Sequence, residues 1–145
     1  MAHARDSIRL AVKALLADIP GLEDHVCFDE PRITEEDRAP WCYVWLGDED
    51  IENVTIGQRP KKRRLVQLST DLIGRDRFEV EQQCETIGAQ VENRVDSSPT
   101  LSGLVKSIMH RSIAIERSSE APILRYRMTF IVNYWTEAGT ATATV

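Results

Sequence analysis

The sequence predicts an α+β fold: two helices packed on one face of a largely antiparallel sheet, in the order α-β-β-β-α-β-β. Three observations predict it. Leu124, Tyr126, Met128, Phe130, Val132 and Tyr134 alternate strictly with Arg125, Arg127, Thr129, Ile131 and Asn133, the period of a strand with one buried face. Ile8, Ala11, Val12, Leu15, Leu16 and Ile19 recur in steps of three and four, the period of a helix with one buried stripe. Phe78, Val80, Cys84, Ile87, Val91 and Val95 repeat that helical pattern later in the chain.

Taken in order, the first helix is expected to be capped by Asp6 or Ser7 and stopped by Pro20-Gly21. "HVCFDEPRI" is a short extended stretch, and Pro31 marks it as an edge strand or a strand end. "WCYVWLG" is rich in aromatic and β-branched residues and reads as a buried strand. In "KRRLVQLSTDLIG", Val66, Leu68, Thr70 and Leu72 share an apolar face and Gly74 ends the strand. Asp76 and Glu79 fit a D-x-x-E capping box opening the second helix, which Asp96-Ser97-Ser98-Pro99 terminates. Met109, Arg111, Ile113 and Ile115 alternate within "SIMHRSIAIER", and the turn-rich "RSSEAP" predicts an antiparallel hairpin with the final strand. Residues 1–135 are expected to form a single domain, and the small, polar, aperiodic residues 136–145 a flexible tail.

With 145 residues the chain can bury roughly two-thirds of the surface its unfolded form exposes. Hydrophobic content of 42% and charged content of 28% exclude global disorder, and a net charge of −5 argues against a dedicated DNA coater. Cys27, Cys42 and Cys84 form no CxxC pair, and His3, His25 and His110 are scattered, so the reading is reduced thiols and no metal site. The N-terminus lacks a secretory pattern, and no apolar run approaches the ~20 residues of a membrane helix. A soluble protein made inside the cell is therefore expected. No G-x-S-x-G, Walker or G-x-G-x-x-G motif is present, and the carboxylates sit in runs rather than as convergent pairs. The expectation is a non-enzymatic protein without cofactors.

The stretch "GDEDIENVTIGQRPKKRRLV" sets Asp48, Glu49, Asp50 and Glu52 before Arg59, Lys61, Lys62, Arg63 and Arg64. Three readings compete for it: a solvated hairpin loop, a phosphate-binding patch, and a protruding arm over residues 48–64. In the third, the acidic and basic edges are presented separately, so that neighbouring copies meet head to tail. Exposed charge pairs contribute only ~0–1 kcal/mol each, setting register rather than strength. Ile51, Val54 and Ile56, spaced through an otherwise charged segment, would supply the affinity, and they favour the arm. The candidate interface is Asp48, Glu49, Asp50, Glu52, Ile56, Arg59, Lys61, Lys62, Arg63 and Arg64.

Three stretches carry a family resemblance. "IRLAVKALLADIPG" opens the chain and leads to a short strand near "DEPRI"; "RAPWCYVWLGDED" is a Pro-initiated strand running into an acidic turn; "VDSSPTLSGLV" precedes a final hairpin ending in "FIVNYW". Over residues 5–137 the chain resembles the tail terminator proteins of long-tailed bacteriophages, of the lambda-type minor tail protein family. The resemblance implies a homo-hexameric ring on the last ring of tail tube protein. That ring stops tube growth and offers its other face to the head–tail connector, or neck, protein. It implies a place in the virion at the tail–neck junction, host cytoplasm during assembly, DNA only as passing cargo, and no membrane. The nearest rival is a head–tail joining or tail-completion neck protein; a small nucleic-acid-binding protein using "RPKKRR" is a rival of another class.

Overall fold

A computed structural model describes residues 3–34, 39–56, 59–76, 79–118 and 122–137, apart from the side chains of Thr55, Ile56 and Arg59. The first helix, α1, spans Ala4–Leu16 and buries Ala4, Ile8, Val12 and Leu16. Its cap differs from the expected one. His3 takes that place, its ring Nδ1 accepting from the Arg5 N–H at 3.2 Å, because the helix starts two residues earlier than Asp6. Asp6 lies in the first turn, where it pairs with Arg9 and favours the helix N-terminus. Past Leu16 the chain turns through Pro20-Gly21, with Gly21 at φ 97°, and Ile19 and Leu22 extend the buried stripe.

The sheet has the order β1-β2-β3-β5-β4. Only Val26–Cys27 of the "HVCFDEPRI" stretch forms a strand, β1, which pairs in parallel with β2 at Cys42 and Tyr43 and makes the sheet mixed. Strands β2 (Trp41–Ile56) and β3 (Arg59–Arg75) form one long antiparallel hairpin, so β3 runs past Gly74. The final strands, β4 (Ser107–Arg117) and β5 (Ile123–Glu137), form the expected antiparallel hairpin, and β5 also pairs with β3 along its whole length. Thr136 and Glu137, read from the sequence as tail, belong to β5, and Thr136 is buried. Residues 138–145 lie outside the described residues.

The second helix, α2, spans Val80–Ser97 and buries Val80, Cys84, Ile87, Val91 and Val95. The expected capping box does not form. Glu79 holds the cap position at φ 77° with no side-chain capping hydrogen bond, while the Asp76 carboxylate turns to Arg117 at 3.3 Å and its N–H to the Pro122 carbonyl. Asp76 is therefore tied to the β4–β5 turn, which outbids a local cap. Phe78 lies outside the described residues.

Both helices lie on one face of the sheet, α1 over β1 and β2, and α2 over β3, β5 and β4. The core between the layers centres on Val66, Leu68, Leu72, Leu124, Met128 and Phe130, all fully buried. Each contributes roughly 1.5–3 kcal/mol of transfer free energy. The layers approach so closely that a Cβ on Gly88 of α2 would sit 2.8 Å from the Tyr126 ring. Two bulges interrupt the sheet. One falls between His110 and Ser112 of β4 and reverses the alternation there. Ile113 and Ile115 consequently share the helix-side face with their partners Met128 and Tyr126, whereas Met109 sits opposite Ile131 on the other face. The single face expected for Met109, Arg111, Ile113 and Ile115 is thus split in two. The other bulge, in β2, shapes the candidate site.

Candidate interaction surface

In β2, Leu46 pairs with Leu68 but Glu49 pairs with Val66, so Gly47 and Asp48 together oppose Gln67. That extra residue flips the alternation. Before the bulge Val44 faces the helices; beyond it Glu49 and Ile51 do, while Asp50 and Glu52 take the opposite face. Residues 48–64 are therefore a paired β-ladder continuous with the sheet. Ile56 pairs with Arg59, and Lys61 and Arg63 are backed by Glu137 and Trp135 of β5.

This register changes what the charges do. Acidic β2 forms the outer strand of the hairpin, but basic β3 is held between β2 and β5, so the basic run is not an edge. Alternation sends Lys61 and Arg63 to one face and Lys62 and Arg64 to the other, which divides the cluster. Glu52 pairs with Arg63 directly across the ladder, with side chains 58% and 41% exposed, a contact worth ~0–1 kcal/mol. Asp48 and Asp50 are exposed, and Lys61 and Lys62 are half-buried.

Glu49 and Arg64 have a different role. Arg64 is buried, donating from Nη1 to Glu49 Oε2 at 2.9 Å and from Nε to Thr136 Oγ1 at 3.0 Å. The Tyr134 hydroxyl donates to Glu49 Oε1, and Arg5 of α1 lies 3.7 Å from the same oxygen. Arg5 also donates from Nη2 to the Leu46 and Gly47 carbonyls, each at 3.2 Å. The bulge, the base of the hairpin, the end of β5 and the start of α1 are clasped by one half-buried network. With the Glu52–Arg63 pair, four nominated interface residues are thus bonded within the chain.

A second charged centre, not nominated from the sequence, lies on the sheet face away from the helices. Asp71 of β3 is fully buried. Its carboxylate accepts from Arg125 Nη1 at 2.6 Å, from Arg127 Nε at 3.1 Å and from Trp45 Nε1 at 3.1 Å. Arg127 also stacks over the Trp45 ring at 5.3 Å, and Tyr43 lies beside Trp45 with ring centroids 6.3 Å apart. Burial works against the Arg125 guanidinium, but hydrogen bonds to Glu30 and Asp71 hold its pKa above the ordinary value. Donors occupy both carboxylate oxygens, so this centre is a structural clasp. The sequence signal was an Asp inside an apolar strand, together with two arginines spaced by two on the last strand.

A depression of about 350 Å³ lies between α2 and the loops at Pro20-Gly21 and Pro40, with Gln83 and Ile87 in its wall. Glu79 is its one ionisable lining residue among those described, so it lacks the convergent groups that acid–base chemistry requires. No helix is long and apolar enough to cross a membrane among the described residues.

Cys27, Cys42 and Cys84 are free thiols. Burial pushes the Cys42 thiol up strongly, with Cys27 and Asp71 adding to it; burial with Glu81 and Glu85 nearby pushes Cys84 up to about 12. Burial and the bond to Glu49 likewise raise the Tyr134 phenol. Groups whose folded pKa is raised give stability that is full below the unfolded value and is lost as pH rises toward the folded one. For the thiols that window opens near 9.0, their ordinary value, and for Cys84 it closes near 12. Urea unfolding at pH 8 and pH 10 is expected to show a loss of about 1.4 kcal/mol per pH unit per buried thiol within the window. The loss is expected to shrink in Cys84→Ala; an unchanged slope there would place that thiol in contact with water.

No family model and no curated protein matches the chain. Among solved structures it is similar to a chain of the virion of a native gene transfer agent particle, at 16% identity and a TM-score of 0.41, covering 87% of this chain and 92% of that one.

Proposed function

We propose that this chain is a non-enzymatic structural protein of a phage-like virion, a tail terminator. Copies form a hexameric ring that caps the tail tube, stops its polymerisation and provides the surface on which the neck is joined. The observation that carries the reading is the α-β-β-β-α-β-β order with its long, charged β2–β3 hairpin, which continues the sheet. A surface of this kind acts by shape and complementary contact. Weak self-association alone would become firm on a tube end, where several contacts act together through effective concentration.

Removing the gene and imaging the particles tests the proposal. Overlong tubes are expected. Free tails of normal length would instead assign the chain to head–tail joining or tail completion, the second reading. Nucleic-acid binding by "RPKKRR" is disfavoured because Arg63 and Arg64 are paired with Glu52 and Glu49 and the run is divided between two faces.

A further inference from the structure

We infer that copies of this chain join edge to edge, the open edge of β4 in one copy adding as a strand to the open edge of β2 in the next. The inference names the copy-to-copy contact of the proposed ring and rests on that reading only for closure into a ring.

Strand β4, at one end of the sheet, and the part of β2 beyond the short β1, at the other, have unpaired edges among the described residues. β4 pairs only with β5, and β2 has the two-residue β1 beside Cys42 and Tyr43 alone. Arg5 occupies the Leu46 and Gly47 carbonyls, so the stretch of β2 open to a further strand begins at Asp48. An unpaired edge is a template for another strand unless it is blunted, and neither β2 nor β4 contains a proline. Among the described residues, four of the five exposed large hydrophobic side chains lie on these two strands: Ile51 on β2, and Met109, Ile113 and Ile115 on β4. Pairing the strands would cover apolar surface that the fold of one copy leaves in water.

The charges choose the partner. Asp48, Asp50 and Glu52 are exposed on β2, whereas Lys106, just before β4, and Arg111, in its middle, are exposed at the other edge; Glu116 and Arg117 at the end of β4 are engaged by Arg127 and by Asp76 and Glu81. Charges and bulges on an edge ordinarily prevent pairing. Here the two edges differ in sign, so each repels its like and attracts the other. A two-fold contact of β4 with β4 would set cations against cations. Strand direction agrees as well. β2, β3, β5 and β4 are successively antiparallel, so β4 runs opposite to β2. Copies held in one orientation around an axis would therefore meet as antiparallel strands, in a heterologous contact that closes when the rotation divides the circle.

Sedimentation of the full chain tests this through charge exchange. One variant carries Asp48→Lys with Asp50→Lys, the other Lys106→Glu with Arg111→Glu. Wild-type protein is expected to associate below about 1 mM, the weak end of the affinity scale. Each variant alone is expected to stay monomeric where wild type associates, because both its edges then carry one sign. Their equimolar mixture is expected to associate again. Persistent association of the Asp48→Lys, Asp50→Lys variant would overturn the inference in favour of β4–β4 pairing; a monomeric wild type or a mixture that stays monomeric would overturn it outright. Far-UV circular dichroism checks each fold, and the milder Asp48→Asn, Asp50→Asn variant gives a second reading, expected to weaken association roughly fivefold or more. Unchanged association there also counts against it. Rings that still form on tube ends with the Lys variants would sink the edge contact alone, whereas normal tail lengths without the gene would sink the terminator reading.

Discussion

Replacing Asp71 with alanine is expected to destabilise the fold by about 3–5 kcal/mol, the usual loss when one partner of a buried ion pair is removed. The carboxylate is fully buried, and removing it leaves Arg125 and Arg127, with side chains 20% and 28% exposed, beside each other without their shared anion. The Trp45 N–H loses its acceptor as well, at a further desolvation cost. A domain of this size has ~5–15 kcal/mol of stability in all, so the variant would sit near the threshold of folding. Urea unfolding measures the loss, and a cycle with Arg125→Ala should return a coupling of at least about 1 kcal/mol. A loss under about 1 kcal/mol would show that water can take the place of the carboxylate and that this sheet face is open.

How much of this was legible follows from which forces leave a local pattern. The alternation from Leu124 to Tyr134 and the stripes of α1 and α2 were legible because one-sided burial imposes its period directly on the sequence. The faces of β4 and of the far half of β2 were not, because a single bulged residue inverts every later side chain without altering composition. The role of Asp71, on the face opposite Val66, Leu68, Thr70 and Leu72, was not legible, since its partners Arg125 and Arg127 lie more than fifty residues away and only the β3–β5 register joins them. The D-x-x-E pattern before α2 was misleading for the converse reason: a distant partner, Arg117, takes the Asp76 carboxylate. In the charged hairpin the signal was present but its sense was open. The β2–β3 register sets Glu52 opposite Arg63, which makes acid and base neighbours in one copy rather than separate edges for two.

That neighbourhood decides how the hairpin can be tested. Arg64→Glu is expected to cost about 3–5 kcal/mol, because it places a second carboxylate against Glu49 inside a half-buried network and leaves Thr136 without its guanidinium donor. Lys61→Glu and Lys62→Glu, at half-buried positions with no ion pair among the described residues, are expected to stay within about 0.5 kcal/mol of wild type. Exchanging all four of Lys61, Lys62, Arg63 and Arg64 for Glu would therefore abolish assembly by unfolding the hairpin base, whatever the surface does. The separation is made by thermal unfolding of the single variants beside an assembly assay. A stable Arg64→Glu protein would mean that the clasp of Glu49, Arg64, Tyr134 and Arg5 does not hold the hairpin to α1. Loss of assembly in Lys61→Glu or Lys62→Glu at full stability would locate a contact on the basic strand, where the ladder with β5 leaves only side chains, and no backbone edge, to a partner.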